Sequence, residues 1–372
     1  MTWIHQATDW PTFRWDSAAL TQKLADVRYR QGHLLGRMEA LGFELRTEAS
    51  IDTLTTEVVK SSAIEGEMLN SNEVRSSIAR RLGVDIGGSV VVGRDVEGVV
   101  EVMMDATKNY AQPLTKERLF SWHAALFPTG RSGMRSITVG SWRPESVGPM
   151  QVVSGPIGKE WVHFEAPEAQ RLEAEMSNFL AWFESPASVD PFVKAAIAHL
   201  WFITIHPFED GNGRIARTIA DMALARADDL PERFYSMSAQ IEIERKEYYN
   251  NLERQQRGST EITGWISWFI DCLGRAINAS EETLSTVLYK AALWEIANQQ
   301  PVNDRQRRIL NRMLDGFKGY MNTSKYAKLA KCSTDTALRD IRNLLNRGLL
   351  VRNAAGGRST SYRLPFLDEL EK

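Results

Sequence analysis

The sequence predicts a mostly α-helical protein with one β-hairpin and a basic C-terminal winged helix. Apolar residues recur at helical spacing over most of the 372-residue chain. Helical periodicity disappears between residues 130 and 164, where Gly, Pro, Ser and Val dominate. Residues 304–363 hold fourteen Lys/Arg and four Asp/Glu, whereas the whole chain carries a net charge of −2. Together these features indicate two or three domains, one of them basic.

The N-terminal third is predicted to be helical. Apolar residues such as Leu20, Val27 and Leu34 share a helical spacing, and Gly42 is a typical helix stop. A glycine-rich break follows at Gly83–Gly93. The predicted helices cover residues 16–48, 51–69, 95–110 and 115–127.

The central region predicts a hairpin and then a buried helix. Extended runs at Met150–Val153 and Glu160–Phe164 flank a turn through Ser154–Lys159. Helices resume near Pro167. Asp190 before Pro191 is typical of a helix start, with the aspartate as N-cap, and this helix should run to about Ile205.

The basic C-terminal segment has the pattern of a winged helix. Helices are predicted at Arg305–Leu314, Ser324–Ala330 and Thr334–Arg347, followed by two extended runs around Gly356-Gly357. The last helix carries Arg339, Arg342 and Arg347. These arginines suit contacts with DNA phosphates, or they are solvated charges on a domain used for protein contacts or dimer formation.

Several classes of protein are disfavoured. The apolar run Val193–Ile205 is too short to span a bilayer and contains Lys194 and His199, which predicts a buried helix and no membrane partner. The N-terminus lacks the pattern of a signal peptide. Cys272 and Cys332 are expected to be reduced, in keeping with a cytoplasmic location.

Residues 206–217, HPFEDGNGRIAR, bring one histidine, two acids, two glycines and two arginines into one short segment. Pro207 should force His206 out of the α-helical region and end the preceding helix. Gly211 and Gly213 tolerate positive φ angles and would let the backbone fold into a nest of N–H groups. The next helix, beginning near Arg214, would add its dipole to that nest. This geometry predicts a phosphate site.

The side chains of the loop fit attack on a phosphorus atom. Arg214 and Arg217 lie three residues apart on one helix face and suit the outer phosphates of a nucleoside triphosphate. Asp210 offers the oxygen ligand that Mg²⁺ prefers, and His206 can accept a proton from a hydroxyl. Phe208 should anchor the loop in the core. The sequence contains no P-loop pattern.

The loop resembles the Fic family signature, H-x-F-x-[DE]-G-N-G-R-x-x-R, without departure. The resemblance implies transfer of AMP from ATP to a protein hydroxyl, with release of pyrophosphate. His206 would be the general base and Asp210 the Mg²⁺ ligand. The implied nucleotide-binding residues of the loop are Gly211, Asn212, Gly213, Arg214 and Arg217. A relative that phosphorylates its target lacks the second glycine, so Gly213 favours AMP transfer.

The resemblance extends beyond the loop. SWHAALFP (Ser121–Pro128) and the region of Arg143 look like the start of a Fic domain, and ERKEYYNNLE (Glu244–Glu253) looks like its C-terminal helix. By this likeness Tyr248 and Tyr249 would lie near the adenine, unless they are core residues. The N-terminal stretch TWIHQATDWPTFRWD resembles a small helical domain of unassigned function, in which Trp3, Trp10 and Trp15 would be packing residues.

The resemblance implies functions for two segments that precede the loop at residues 206–217. Ser61 and Glu65 lie four apart and look like the family's inhibitory motif, in which Glu65 would pair with Arg217. The plain alternative is a solvated helix. The hairpin at residues 150–163 resembles a flap that binds a target protein by strand addition, and its plain alternative is a structural hairpin.

The sequence therefore predicts three domains and one favoured function. The domains are an N-terminal helical domain at 1–94, a Fic core at 95–290 and a winged helix at 291–372. The favoured function is autoinhibited AMP transfer from ATP, with Mg²⁺, to a Ser, Thr or Tyr hydroxyl of a target or of the protein itself. The alternatives are AMP removal with Glu65 positioning water, use of another nucleotide donor, or an ATP-sensing DNA-binding regulator. A homodimer is left open.

Overall fold

The computed structural model confirms a mostly helical protein. It describes residues 2–84, 91–156, 159–186, 189–314, 317, 319–353 and 360–370. The described helices are α1 (Ser17–Glu39), α2 (Phe43–Ile64), α3 (Ser71–Arg81), α4 (Arg94–Lys108), α5 (Lys116–Leu126), α6 (Leu172–Glu184), α7 (Pro191–Ile205), α8 (Asn212–Asp228), α9 (Met237–Ile243), α10 (Arg245–Gln256), α11 (Thr263–Gln299), α12 (Asp304–Leu314), α13 (Thr323–Ala330), α14 (Thr334–Asn346) and α15 (Leu367–Leu370).

Within the described ranges, the strands form three small antiparallel pairs. They are β1 (Arg131–Ser132), β2 (Arg135–Ser136), β3 (Gln151–Ser154), β4 (Trp161–Glu165), β5 (Val351–Arg352) and β6 (Tyr362–Arg363). The pairs are β1–β2, β3–β4 and β5–β6. The hairpin predicted at residues 150–164 is confirmed as β3–β4, with both strands shifted by one residue.

The boundary between the first two helices was predicted wrongly. Gly42 ends the first helical region as expected, but it is also the N-cap of α2, which begins at once at Phe43. At its other end α2 stops at Ile64, and Gly66 takes a φ of 87°. That left-handed conformation reverses the chain, so Glu65 lies just beyond the helix rather than on its face. Helix α3 was not predicted.

The chain divides into two compact units, Met1–Ser280 and Glu281–Lys372. In the first unit α7 packs along α8, and almost every side chain of α7 is buried. Asp190 caps α7 as predicted, since its Oδ1 accepts a hydrogen bond of 2.8 Å from the N–H of Phe192. The short loop between α7 and α8 is thereby held between two core helices.

The second unit has its own apolar core. Helices α12, α13 and α14 supply most of it, and Tyr362 of β6 joins them. Met321 bridges to Tyr362, which attaches the β5–β6 hairpin to the segment before α13. The element order of three helices and a hairpin is the one expected from the sequence for this segment. The glycines predicted at the hairpin tip, Gly356 and Gly357, lie outside the described residues.

Among the described residues, none of the helices combines the length and apolar content needed to cross a bilayer.

Candidate active site

His206 is held in a left-handed conformation at the end of α7, with φ 52° and ψ 58°. The prediction that Pro207 excludes it from the α-helical region is therefore confirmed. Its Nδ1 lies 3.1 Å from the carbonyl oxygen of Ile203. Because a carbonyl can only accept, Nδ1 carries the proton and Nε2 is left as the basic nitrogen.

Arg143 fixes this backbone conformation from outside the loop. Its guanidinium is buried and donates from Nε to the carbonyl oxygen of His206 at 2.9 Å, and also to the carbonyl of Pro167. Its own backbone N–H donates to the carbonyl of Pro207 at 2.9 Å. A charged donor on the His206 carbonyl offsets the strain of a non-glycine residue at positive φ.

His123 of α5 supports the other side of the loop. Its ring stacks on Phe208 with centroids 4.1 Å apart, and Phe208 is fully buried, as predicted. The N–H of Gly140 donates to Nδ1 of His123 at 3.3 Å, so Nε2 carries the proton and donates to the carbonyl of Asp210 at 3.2 Å. Burial lowers the pKa of His123 to about 4, which keeps it neutral in this role.

Asn212 closes the loop on itself. Its Oδ1 accepts from the N–H of Phe208 at 3.0 Å, and its Nδ2 donates to the carbonyl of Phe208 at 2.8 Å. The side-chain amide of Asn212 is thus used within the loop, and its backbone N–H at the start of α8 is the group available for an anion.

Asp210 presents its carboxylate to the cavity. Its Oδ1 accepts from the N–H of Gly211 at 2.6 Å, and its Oδ2 accepts from the hydroxyl of Ser132. The neighbouring Glu209 has a structural part instead, because it pairs with Arg135 at 3.2 Å and accepts from the N–H of Thr138. Each Asp210 oxygen retains a lone pair for a further ligand.

The two glycines of the loop serve different purposes. Gly211 has φ 79°, as predicted, and is the N-cap of α8. Gly213 is inside the first turn of α8 and does not have positive φ, so its tolerance of that conformation is not used. It is needed for close approach, since a Cβ at Gly213 would lie 2.2 Å from Oε1 of Glu65.

Arg217 and Glu65 form an ion pair at the N-terminal end of α8. Nη2 of Arg217 is 2.9 Å from Oε1 of Glu65, and the Arg217 side chain is 2% exposed. Ser61 accepts from Arg217 twice, through Oγ at 3.0 Å and its carbonyl at 2.9 Å. Burial opposes the charge of Arg217, but Glu65 and its other partners hold its pKa above the usual value.

Arg214 makes a second ion pair with the same segment. Its Nη1 lies 2.7 Å from Oε2 of Glu67, with Arg214 6% and Glu67 48% exposed at the side chain. The guanidinium of Arg214 also lies over the ring of Phe127 at 5.0 Å. The turn after α2 therefore places one carboxylate on each arginine of the loop.

A cavity of about 650 Å³ lies against part of this site. Its walls include His206, Asp210, Gly213 and Glu65, together with β3 and α10. The volume is within the range of nucleotide-sized ligand sites. The cavity is therefore the place where a ligand would meet the basic nitrogen of His206.

The two tyrosines of α10 differ in exposure. The hydroxyl of Tyr248 is buried and lies 3.2 Å from Nε2 of His199, a core contact, although the ring borders the cavity. Tyr249 is partly exposed at the cavity, and its hydroxyl donates to the carbonyl of Ile64 at 3.4 Å. Tyr249 is thus the more accessible of the pair.

Three contacts were missed in the sequence. Ser132 on Asp210, His123 beneath the loop and Glu67 on Arg214 all come from segments 78 to 147 residues away in the chain. Only Glu67 had a local signal, since the stretch EGE repeats the acid of Glu65 two residues later.

The pKa of His206 gives a prediction that does not depend on any ligand. Burial lowers it to about 4, so the ring should stay neutral down to about pH 5. The measurement is a pH titration of the His206 ring ¹⁵N signals, assigned by comparison with His206→Ala. A histidine in a short unstructured peptide provides the reference, with a midpoint of about 6.5. A midpoint of His206 above pH 6 would contradict the buried, neutral base.

The N-terminus of α8 borders this cavity, and Arg214 and Arg217 follow within its first two turns, an arrangement that suits the binding of polyphosphate anions. Residues 113–224 match the Fic/DOC family. Residues 3–84 match a domain of unknown function, DUF4172. This match agrees with the small N-terminal domain expected from the sequence.

Curated relatives and solved structures point the same way. The chain is 26% identical over 239 residues to "Protein adenylyltransferase Fic" of Nematostella vectensis, covering 62% of this chain and 49% of that protein. It is 27% identical over 198 residues to "Protein adenylyltransferase fic-1" of Caenorhabditis briggsae, covering 52% and 35%. The chain thus spans about half or less of these relatives.

A crystal structure of a Fic family protein from Desulfovibrio desulfuricans matches with a TM-score of 0.50 at 22% identity. The match covers 94% of this chain and 97% of that one. At this identity the likeness supports the fold alone.

Proposed function

We propose that the protein is an autoinhibited adenylyltransferase that moves AMP from ATP to a hydroxyl of a protein. The observation that carries the proposal is the convergence of neutral His206, Asp210 and the N-terminus of α8 on one cavity. Curated relatives with the same family domain are named protein adenylyltransferases. The proposal extends that activity to this chain.

The chain's own residues would carry the reaction in the following way. The α8 N-terminus, through the N–H groups at Gly211 to Gly213, binds phosphate oxygens, and Arg214 and Arg217 bind the β- and γ-phosphates. The acceptor hydroxyl loses its proton to Nε2 of His206 as its oxygen attacks the α-phosphorus. The bond from the α-phosphorus to the bridging oxygen breaks, and pyrophosphate leaves. Positioning and charge stabilisation supply most of the rate.

A Mg²⁺ ion fits the donor set at Asp210. Among the described residues, no cluster of three or more His, Cys, Asp or Glu side chains could hold a metal by itself. A single carboxylate facing the cavity suits Mg²⁺, which takes most of its other ligands from phosphates and water. When bound, the ion would neutralise charge on the phosphates. Gly211 N–H and Ser132 keep the Asp210 carboxylate oriented for it.

The resting enzyme is proposed to be inhibited because carboxylates already pair with its two phosphate-binding arginines. Glu65 occupies Arg217, and Glu67 occupies Arg214, so both guanidiniums are neutralised before ATP arrives. The Glu65 carboxylate also lies against Gly213, where it excludes a phosphate oxygen from the N-terminus of α8. ATP would have to displace both acids to reach the β- and γ-phosphate positions.

The β3–β4 hairpin is proposed as the surface that binds the target, as a strand added to β3. Ala166 N–H donates to the carbonyl of Met150 at 2.9 Å, so the Gln151–Glu165 pair that follows is of the non-hydrogen-bonded kind. The N–H of Gln151 therefore points away from β4 and is exposed for a target backbone.

Replacing Gln151 by proline tests this surface. Proline removes the outward N–H without removing a hydrogen bond to β4. Target labelling should therefore fall about two- to tenfold, which corresponds to the loss of one hydrogen bond of about 0.5–1.5 kcal/mol. ATP affinity, measured by calorimetry, should stay within about twofold. Gln151→Ala is the matched control, because it also loses the side-chain bond to Glu165 but keeps the N–H. Equal labelling by the two variants would remove the strand-addition proposal.

The reaction itself is tested by its by-product. A cell lysate is incubated with the Glu65→Gly variant and ATP, and released pyrophosphate is compared with nucleotide bound to protein. AMP transfer predicts equal amounts of the two. Release of ADP would indicate phosphorylation, and release of AMP from premodified proteins without use of ATP would indicate the reverse reaction. Either result would replace the proposed function.

A further inference from the structure

The second unit carries a helix–turn–helix whose outer face is basic. Helices α13 and α14 are joined by the turn Lys331–Ser333, in which Lys331 has φ 52°. Asn322 caps α13 and Ser333 caps α14, so both helix starts are fixed. The inner face of α14 buries Ala337, Ile341 and Leu344 in the unit's core.

A polar network also fixes α14 against its neighbours. Asp340 is buried and accepts from Nε of Arg305 on α12 at 2.9 Å. The hydroxyl of Tyr326 on α13 donates to the same carboxylate at 3.4 Å. The acid of α14 that faces inward is therefore already neutralised, and the orientation of the helix is set.

The exposed cations lie on the opposite side. Arg339 and Arg342 are exposed and three residues apart on α14. Lys325 and Lys328 of α13 and Lys331 of the turn are also exposed, with Nζ of Lys325 donating to the carbonyl of Tyr320 at 3.0 Å. Against these five cations the two helices and their turn expose one acid, Asp335. Arg347, predicted to belong to this surface, does not: its Nη2 donates to the carbonyls of Ala297 and Gln300.

The composition of this face favours a nucleic acid over a protein. A protein interface needs an apolar centre. In the described part of the unit, the large exposed apolar side chains are Tyr320 and Phe366, and neither lies on α13 or α14. The α14 face instead presents Thr334, Asp335, Arg339 and Arg342.

We propose that α13, the Lys331–Ser333 turn and α14 bind duplex DNA, with α14 in the major groove and the lysines of α13 on the phosphates. An α-helix fits the major groove of B-DNA, and the preceding helix of such a pair crosses the backbone. This surface does not depend on the proposed AMP transfer and adds a binding activity to it.

The test is fluorescence anisotropy of the full chain with a labelled random-sequence duplex between 50 and 200 mM salt, without ATP. Neutralising four or five phosphates predicts a slope of log K against log salt of about −3.6 to −4.5. The double variant Arg339→Ala/Arg342→Ala should reduce that slope by about 1.8 and weaken binding at least tenfold at the lowest salt. Circular dichroism melting checks that both proteins are folded.

The control is Arg308→Ala/Arg312→Ala, the same loss of charge on exposed positions of α12. It should weaken binding by less than about threefold. Absence of binding at 50 mM salt, or equal weakening by the two double variants, would overturn the proposal. Loss of a dimer in sedimentation by Arg339→Ala/Arg342→Ala, with no DNA bound by the wild type, would assign the face to self-association instead.

Discussion

Replacing Glu65 by glycine is expected to raise ATP affinity about ten- to a hundredfold and to turn on AMP transfer. The physical reason is that Arg217 is 2% exposed and already carries its counterion, at 2.9 Å. A γ-phosphate cannot share that guanidinium with a carboxylate without repulsion. The factor corresponds to about 1.4–2.8 kcal/mol, at 1.4 kcal/mol for each tenfold. Calorimetry measures affinity, and transfer of labelled AMP measures the rate.

Removal of Glu65 alone is not expected to give full activity, because Glu67 still pairs with Arg214. The double variant Glu65→Gly/Glu67→Gln should bind ATP about two- to fivefold more tightly than Glu65→Gly, a smaller step since Glu67 is 48% exposed and its ion pair is screened by solvent. Glu67→Gln by itself should change little, because Glu65 still covers Arg217 and Gly213.

Glu168→Gln is the control for these variants. It removes the same charge at an exposed position that does not line the cavity. Wild-type behaviour is expected from it. If Glu65→Gly binds ATP no better than wild type, the ion pair with Arg217 is structural and the autoinhibition proposal fails. If Glu65→Gly is active but the added Glu67→Gln change does not raise ATP affinity further, only the inhibitory role of the Glu67–Arg214 ion pair is contradicted.

Replacing His206 by alanine in the Glu65→Gly background is the second large effect. The transfer rate should fall about 10²- to 10⁴-fold, the usual worth of a general base. ATP affinity should be nearly unchanged, because the phosphates are bound by the α8 N-terminus and the two arginines. A fall in rate of less than about fivefold would mean that another group accepts the proton.

His199→Asn provides a matched histidine control for that experiment. His199 is buried beside Tyr248, and burial lowers its pKa to about 3, so it cannot act as an acid at neutral pH. Its replacement should lower the melting temperature while leaving the rate of the folded fraction within about threefold. Comparison of the two histidine variants then distinguishes a loss of catalytic rate from a loss of stability caused by poorer packing.

Much of the site could be predicted because its parts are adjacent in the chain. The left-handed His206, the positive φ of Gly211, the cap at Asp190 and the buried Phe208 all follow from local stereochemistry. Such constraints act within a few residues. They are therefore visible in a single sequence without knowledge of the tertiary fold.

The remaining features depend on distant segments. The sequence marks Gly213 as tolerant of positive φ, but its real constraint is the approach of Glu65 from 148 residues away, which no local rule reveals. The end of α2 was placed too late because the polar stretch after Ile64 still suits a helix, whereas Gly66 turns the chain. Arg347 was assigned to the exposed surface because nothing near it in the sequence shows its hydrogen-bond partners. These partners, the carbonyls of Ala297 and Gln300, lie at the end of another helix.

The most direct test of the account is to incubate the Glu65→Gly/Glu67→Gln protein with a lysate and ATP labelled either at the α- or at the γ-phosphate. Its His206→Ala derivative serves as the blank. The account predicts protein-bound label from the α position only, and almost none in the blank. Protein-bound label from the γ position, or equal α-labelling with and without His206, would contradict it.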